Sequence, residues 1–417
     1  MTNEVKNVPE LRFSDFSDEW EEKKLEDLLK FNNGINASKE QYGTGMKFIN
    51  VLDILNTNFI TYDKIIGRVN VSKAIENRNK VEYGDILFLR SSETREDVGM
   101  CNVYLDKEKH SLYGGFIIRG KKIGEYSPFF LKILLNNSKA RKSISSLAGG
   151  STRFNVSQDI LKVVGILVPK MNEQIKIGDF FSKLDQQIEL EEQKLAKLEE
   201  QKKGYMQKLF SQELRFKDEN GDDYPEWMET NIRNTFDNKG GTALEKEFDN
   251  NGTHKVISIG SYSMNSTYNE QNLRINKNEF TEKYLLNEGD LAMVLNDKTK
   301  EGNIIGKSIY IDEDDKYIYN QRTERLIPVT GNNHKFLWYL MNSEQFRKKI
   351  KQMMQGATQV YINYNSIKDL SIYLPILEEQ NKIENFLGDI FNIIKNQSDK
   401  VELLKRRKKG FLQKMFV

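Results

Sequence analysis

Residues 171–210 read MNEQIKIGDF FSKLDQQIEL EEQKLAKLEE QKKGYMQKLF. Taken at alternating steps of four and three, Ile177, Phe181, Leu184, Ile188, Glu191, Leu195, Leu198, Lys202, Tyr205 and Leu209 make one helical stripe, apolar at eight of its ten positions. That pattern is the seam of a coiled coil. Adding 206 to each number gives Ile383, Leu387, Ile390, Ile394, Gln397, Val401, Leu404, Lys408, Phe411 and Met415, again apolar at eight of ten and broken by polar residues at the same two places. The helix is present twice.

The repetition extends beyond the seam. At the same offset Gly150, Thr152, Pro169, Glu173, Gln174, Lys176, Phe180, Lys202, Lys203, Gly204, Gln207, Lys208 and Phe210 recur unchanged. Two ordinary amphipathic core helices sharing a period would account for the apolar stripe but not for these glycines and polar residues.

Working outward, the repeat begins near Leu11-Arg12-Phe13, after a polar lead, and again near Leu214-Arg215-Phe216, each followed by Glu-Trp at Glu19-Trp20 and Glu226-Trp227. A short helix is expected over 24–31. Short runs rich in β-branched and aromatic residues, bounded by turn residues, predict strands at 47–51, 85–89, 100–104 and 116–119, with counterparts at 255–259, 290–295, 307–311 and 324–328. Each body then carries an apolar helix, over 128–142 and 334–348, and a loop, over 149–155 and 355–361. A further strand follows and is closed by Pro169 or Pro375 before the long helix. The middles, 35–80 and 242–283, align poorly.

The expected fold is therefore α/β of the α+β kind. Two similar mixed bodies, 1–170 and 212–376, are separated by long helices, 171–211 and 377–417, in a pseudo-twofold internal repeat. A helix of about 35 residues is roughly 50 Å long. Parallel pairing would force the second body to start at the far end of the first helix and finish beside its beginning, whereas domain termini usually lie close together. Antiparallel pairing removes the conflict, predicting a dumbbell whose C-terminus returns to its N-terminus. Gly204 and Gly410 each cost about 1 kcal/mol inside a helix; a close approach, a partner contact or a frayed last turn would each explain them.

Composition narrows the function. Charged residues make up 30% of the chain and hydrophobic ones 38%, the net charge is +2, and no apolar run reaches the length of a membrane span. The expected setting is cytoplasmic, with no membrane partner. One cysteine, Cys101, excludes an internal disulfide, and His110, His254 and His334 are too scattered for a zinc cluster. The near-neutral balance means that any positive field for nucleic acid must be local. The basic run at Lys405, Arg406, Arg407, Lys408 and Lys409 suits phosphates, but equally a solvated helix face near a C-terminus.

Several strings imitate active sites. Gly302-Asn-Ile-Ile-Gly306-Lys307-Ser308 has three residues between its glycines where a phosphate-cradling loop needs four. It and Val98-Gly99-Met100-Cys101 read as turns entering strands. Gly43-Thr-Gly45 lacks the third glycine of a dinucleotide site. Asp222-Asp223 and Asp314-Asp315 fall in polar, turn-like segments. No catalytic residue, metal site or cofactor site is expected.

Three sets of residues carry a resemblance to a known family: the glycine-aspartate strands Gly84-Asp-Ile-Leu-Phe-Leu-Arg90-Ser-Ser92 and Gly289-Asp-Leu-Ala-Met-Val-Leu-Asn296-Asp-Lys298, the loops Gly150-Ser-Thr-Arg-Phe-Asn155 and Gly356-Ala-Thr-Gln-Val-Tyr361, and the Lys-Lys-Gly helix ends at 202–204 and 408–410. In this order, over 11–417, they resemble the specificity subunits of type I restriction-modification systems. The resemblance implies a non-catalytic DNA-binding subunit with two target recognition domains, each reading half of a split, asymmetric site in double-stranded DNA. The helices would set the spacing and dock two methyltransferase (modification) subunits, with restriction subunits joining the full complex. S-adenosylmethionine, ATP and Mg²⁺ are implied for the partner subunits only. One departure is Asn296-Asp297-Lys298, where an arginine-containing turn is more usual.

Bipartite readers place half-sites about 34 to 36 Å apart per helical turn of DNA, a distance such a helix can span. Phosphate contacts position and base contacts specify. The candidate DNA-binding residues are Arg90, Ser91, Ser92, Thr152 and Arg153 in the first body, and Lys298, Thr358, Gln359 and Tyr361 in the second. Arginine suits bidentate contact with guanine and glutamine with adenine, while a threonine after glycine equally caps a turn. The alternative from another class is a coiled-coil scaffold joining two protein-binding domains, which would show no sequence-specific DNA binding even with its partners present. A self-contained DNA-modifying enzyme would need a cofactor or metal site.

Overall fold

The computed structural model describes residues 7–55 and 58–417; residues 1–6 of the polar lead and 56–57 of the poorly aligned first middle lie outside the described residues. The chain divides into two compact units, Met1–Gln193 with Ser398–Val417, and Lys194–Gln397. Each contains one body, the start of its own long helix and the end of the other copy's.

In the first unit, Ile86–Leu89 is the heart of an antiparallel sheet ordered Leu29–Asn33, Ile117–Lys122, Ile86–Leu89, Cys101–Val103 among the described residues. All four residues of Ile86–Leu89 are buried, so the sheet is covered on both faces. Strand alternation divides them: Ile86 and Phe88 enter the core built on Phe129, Phe130 and Leu134, while Leu87 enters a second core with Tyr104 and Ile117. A smaller sheet is ordered Arg68–Val69, Tyr42–Ile49, Leu112–Tyr113, its last pair parallel. Glu21–Lys24 pairs with Gly165–Val168, bringing the start of the body to the strand that enters the helix.

The second unit repeats this order. Its main sheet runs Phe236–Gly240, Thr323–Pro328, Leu291–Val294, Ser308–Tyr310, and its smaller one Arg274–Ile275, His254–Ile257, Tyr317–Tyr319. The same alternation sends Leu291 and Met293 to the helix-side core, and Ala292 and Val294 to the other. The glycine-aspartate pairs are turns that open these central strands. Gly84 and Gly289 have φ of +90° and +89°, and the following aspartates accept hydrogen bonds from Glu82 N and Asn287 N. Each aspartate also reaches an arginine on the neighbouring strand, Asp85 with Arg119 at 3.2 Å and Asp290 with Arg325 at 2.7 Å.

Some expectations need correction. The helix expected over 24–31 is one turn, Leu25–Leu28, followed at once by the strand Leu29–Asn33. Leu29 and Phe31 are buried and Lys30 is exposed, an alternation that sheet pairing selects over the helical period. The first expected strand is Tyr42–Ile49, and Val51–Leu55 is helical; its counterpart is His254–Ile257, followed by a 3₁₀ turn at Ile259–Ser261. The helix over 128–142 is two, Pro128–Asn136 and Ser138–Ser146, because Asn137 turns extended and caps the second by accepting from Lys139 N and Ala140 N. The helix over 334–348 likewise breaks into His334–Met341 and Glu344–Gln352, with Ser343 as the cap.

The long helices are Met171–Phe210 and Leu377–Lys414. In the first unit they run antiparallel, with Phe180 edge-on to Phe411 at 5.1 Å, Asp185 to Lys408 at 2.5 Å and Glu191 to Lys400 at 2.5 Å. They also run antiparallel in the second, where Tyr205 meets Phe386 at 5.1 Å and Lys202 lies over Phe391. Seam residues are buried or half-buried throughout except Tyr205, 40% exposed, whose ring still packs on Phe386. The basic run is split: Lys405 pairs with Glu192 at 2.6 Å and Lys408 with Asp185, while Arg406, Arg407 and Lys409 are exposed.

The repeated polar residues join body to helix. Arg12 grips Glu173 through two 2.7 Å bonds, and Arg215 grips Glu379 at 3.2 and 2.8 Å. Gln174 accepts from Ser127 N and donates to Pro169 O, and Gln380 repeats this with Asn333 N and Pro375 O. The chain end returns as expected within the first unit, where Leu11 N donates to Lys414 O at 2.8 Å; the matching bond in the second unit runs from Leu214 N to Lys208 O.

Three outcomes follow. A Cβ at Gly204 or Gly410 meets nothing within 4 Å, and both helices continue past them, so neither a close approach within the chain nor a frayed last turn explains these glycines. Gly204→Ala and Gly410→Ala should each stabilise the isolated chain by about 1 kcal/mol in urea denaturation. Arg12→Ala leaves the 2%-exposed Glu173 carboxylate without its cation and should cost about 3 kcal/mol by the same measurement. Phe416, 4% exposed, packs on Trp20, Phe130 and Phe181; Phe416→Ala should cost about 3 to 5 kcal/mol and lower the melting temperature measured by circular dichroism.

Candidate nucleic-acid interface

Past Leu89 the central strand continues into Ser91–Ser92, which pairs antiparallel with Phe154–Asn155, Phe154 opposite Ser92 and Asn155 opposite Ser91. Two candidate stretches some sixty positions apart in sequence therefore form one ribbon. Arg90 is the pivot. Its N–H donates to Phe116 O at 2.8 Å, its carbonyl accepts from Val156 N at 3.0 Å, and its half-buried guanidinium reaches Gly115 O at 3.4 Å.

The loop preceding Asn155 is pinned at its base by reciprocal bonds, Gly149 N to Asn155 O at 3.0 Å and Asn155 N to Gly149 O at 2.8 Å. Gly150 takes φ +110°, and a Cβ there would lie 2.1 Å from Arg153 O. Only glycine permits that fold-back, which leaves Thr152 and Arg153 exposed at the tip. The Arg153 guanidinium lies 5.7 Å from the ring centre of Phe116, itself 56% exposed, and that of Arg95 lies 4.7 Å from Phe154.

The second unit builds the same ribbon from Asn296–Asp297 and Val360–Tyr361. Gln355 and Tyr361 exchange backbone bonds of 3.0 and 2.9 Å, and Gly356, at φ +101°, would place a Cβ 2.1 Å from Gln359 O. Thr358, Gln359 and Tyr361 are exposed, and Lys298 projects just beyond the ribbon. Among the described residues the side chains of Lys298, Thr358 and Gln359 form no hydrogen bond or ion pair, leaving their polar atoms available to a ligand.

The chemistry of the two tips differs. Leu295 N donates to Arg322 O as Arg90 N does to Phe116 O, so Leu295 stands where the first unit has Arg90. Asp297 is buried and works for the loop, accepting from Thr299 N, Thr299 Oγ1 and Ile304 N. Burial raises its pKa, but these bonds together outweigh burial and hold it below the ordinary carboxylate range. The structure thus gathers the candidate DNA-binding residues at two ribbons and sets Arg95 and Phe116 beside the first. The strand expected over 116–119 hid Phe116, which lies in the turn just before Ile117–Lys122 and so shows its ring to solvent. Arg95 had no signal beyond its charge.

Among the described residues no group of His, Cys, Asp and Glu could hold a metal ion. Cys101 is fully buried, and burial pushes its thiol up to about 12, far from a reactive thiolate. The turn reading of the two glycine strings agrees with the structure: Gly99 (φ +72°) and Gly306 (φ +67°) lead into strands Cys101–Val103 and Ser308–Tyr310. Among the described residues no helix is long and apolar enough to cross a membrane.

Comparison with known proteins agrees with this duplicated frame. The MjaVIII type I restriction enzyme specificity subunit of Methanocaldococcus jannaschii is 29% identical over 280 residues, 64% of this chain and 65% of that relative, just under two thirds of its length. The putative type I restriction enzyme MjaX specificity subunit of the same organism is 23% identical over 97% of this chain and 95% of its own length. In fold, the chain resembles the crystal structure of a type I restriction-modification S subunit from M. genitalium, with a TM-score of 0.59 and 15% identity over 98% of this chain and 99% of that one. Residues 17–200 and 224–405, one stretch in each half of the repeat, match the type I restriction modification DNA specificity domain, and the chain belongs to that family.

Proposed function

We propose that this chain is the DNA sequence-recognition subunit of a type I restriction-modification complex. On this reading the bodies at 1–170 and 212–376 are target recognition domains, each taking one half of a bipartite, asymmetric site in double-stranded DNA. The helices 171–211 and 377–417 hold the spacing and dock two modification subunits, which restriction subunits join in the full complex. The chain itself is non-catalytic and cytoplasmic; S-adenosylmethionine chemistry and ATP- and Mg²⁺-dependent cleavage belong to the partners.

The observation that carries the reading is the pair of matching ribbons, Ser91–Ser92 with Phe154–Asn155 and Asn296–Asp297 with Val360–Tyr361. A two-stranded ribbon fits the major groove. Each is held rigidly from below by backbone bonds while its exposed side chains differ between units, as two readers of different half-sites require. Arg153, Thr152, Arg90, Ser91 and Ser92 serve the first half, with Arg153 suited to guanine or to phosphate. Gln359, Thr358, Tyr361 and Lys298 serve the second, with Gln359 suited to adenine.

The test is a methylation map from the chain reconstituted with its modification subunits. Replacing residues 212–376, the whole second body, with the matching segment of another specificity subunit should change one half of the modified site and leave the other intact. A change in both halves would refute independent readers. Gln359→Ala should relax one base position in the second half-site, with discrimination there falling by about 1 to 3 kcal/mol. Lys298→Ala, if that lysine meets phosphate, should weaken binding evenly across sequences and flatten the salt dependence.

A further inference from the structure

The two copies of the helix junction differ in one buried charge. In the first unit Asp185, 6% exposed, pairs with Lys408 at 2.5 Å, and Lys132 is a second cation drawn to the same carboxylate. The offset of 206 carries Asp185 to Phe391, Lys408 to Lys202 and Lys132 to Trp338 in the second unit. There a ring takes the carboxylate's place. The Lys202 ammonium lies 5.1 Å from the centre of Phe391, and Phe391 meets Trp338 edge-on at 6.1 Å.

A second cation is added beside it. Lys307 follows the turning Gly306 as Met100 follows Gly99, and it donates to Met264 O at 2.5 Å and Ser266 Oγ at 3.4 Å. Among the described residues neither Lys202 nor Lys307 forms an ion pair; Glu199 attracts Lys202 without pairing with it. Burial first, then repulsion from Arg347, Lys202 and Lys351, pushes Lys307 down to about 8. These side chains open on a pocket of about 980 Å³, walled also by Met206, Tyr339 and Ile394.

We propose that this pocket receives an acidic segment of the modification subunit, a carboxylate settling on Lys202 and Lys307 while an adjoining apolar side chain packs on Phe391 and Trp338. The first unit indicates the chemistry, since the position equivalent to Lys202 there holds a carboxylate from within the chain. Glu199 and Glu344 also line the pocket, but two partly buried cations that form no ion pair, with Arg347 and Lys351 beside them, still favour an incoming anion. The apolar walls favour a protein side chain over a DNA backbone, and a duplex is too broad to enter. Because the first unit supplies its own carboxylate, only one of the two docking events uses such a contact. The inference rests on the docking of modification subunits proposed above.

The test measures binding of the modification subunit to the full chain by sedimentation and fluorescence titration over a range of salt. Lys307→Met installs the residue that the first unit has, and Phe391→Asp supplies an internal carboxylate. Each should weaken one of the two binding steps about tenfold and flatten that step's salt dependence, leaving the other step unchanged. Thermal melting checks that Phe391→Asp folds, and Lys307→Met stands independently of it. Wild-type constants and salt response in both variants, or equal weakening of both steps, would overturn the inference while leaving modification-subunit docking intact. A wild-type chain that takes up no modification subunit would overturn the docking itself and this inference with it.

Discussion

Each unit depends on an aromatic side chain delivered by the far end of the other copy's helix. In the first unit Phe416 sits on Trp20, Phe130 and Phe181. In the second its equivalent, Phe210, sits on Trp227 and Phe336. Neither body therefore closes its core with its own helix alone, and this need fixes the helix direction in each unit. Only an antiparallel pair brings the end of one copy to the beginning of the other. The charged contacts follow the same direction, Asp185 with Lys408 and Glu191 with Lys400, but for carboxylates this far buried the loss of hydration offsets much of the attraction, so the burial of the rings carries more.

That closure explains which residues are repeated. Arg12 with Glu173 and Arg215 with Glu379 lock the start of each helix to its body. Arg141 and Arg347 donate to the main chain of the matching turns, at Glu96 and Val98 and at Asn303 and Ile305. Gly150 and Gly356 make the same fold-back. What sits on this frame is free to differ: Arg90 against Leu295, Phe116 against Arg322, Met100 against Lys307. A frame held by buried pairs and backbone bonds tolerates change at exposed tips, where substitutions away from packed contacts seldom disturb stability.

The long helices were legible because a coiled-coil seam is a local pattern that persists over many turns. The central strands were legible because every residue of Ile86–Leu89 and Leu291–Val294 is apolar or small. Errors arose where two local patterns competed. Over 24–31 the apolar spacing at Leu25, Leu28 and Leu29 suits a helix, yet pairing with Ile117–Lys122 takes the chain into a strand after one turn. Over 128–142 the apolar stripe hid the break at Asn137, whose capping role shows only once the following N–H groups are in place.

The sequence by itself determined that the molecule is two versions of one plan on paired helices, since periodicity and recurrence are properties of order along the chain. The family resemblance carried by the Gly150 and Gly356 loops also pointed to the residues that stand at the ribbon tips. Only the tertiary structure decided that Ser91 lies against Asn155 and Asn296 against Tyr361, that Arg90 is half-buried while Arg153 is exposed, and that Lys202 lacks the carboxylate its counterpart has. Those facts depend on strand register and on which side chains meet across distances that no local pattern encodes.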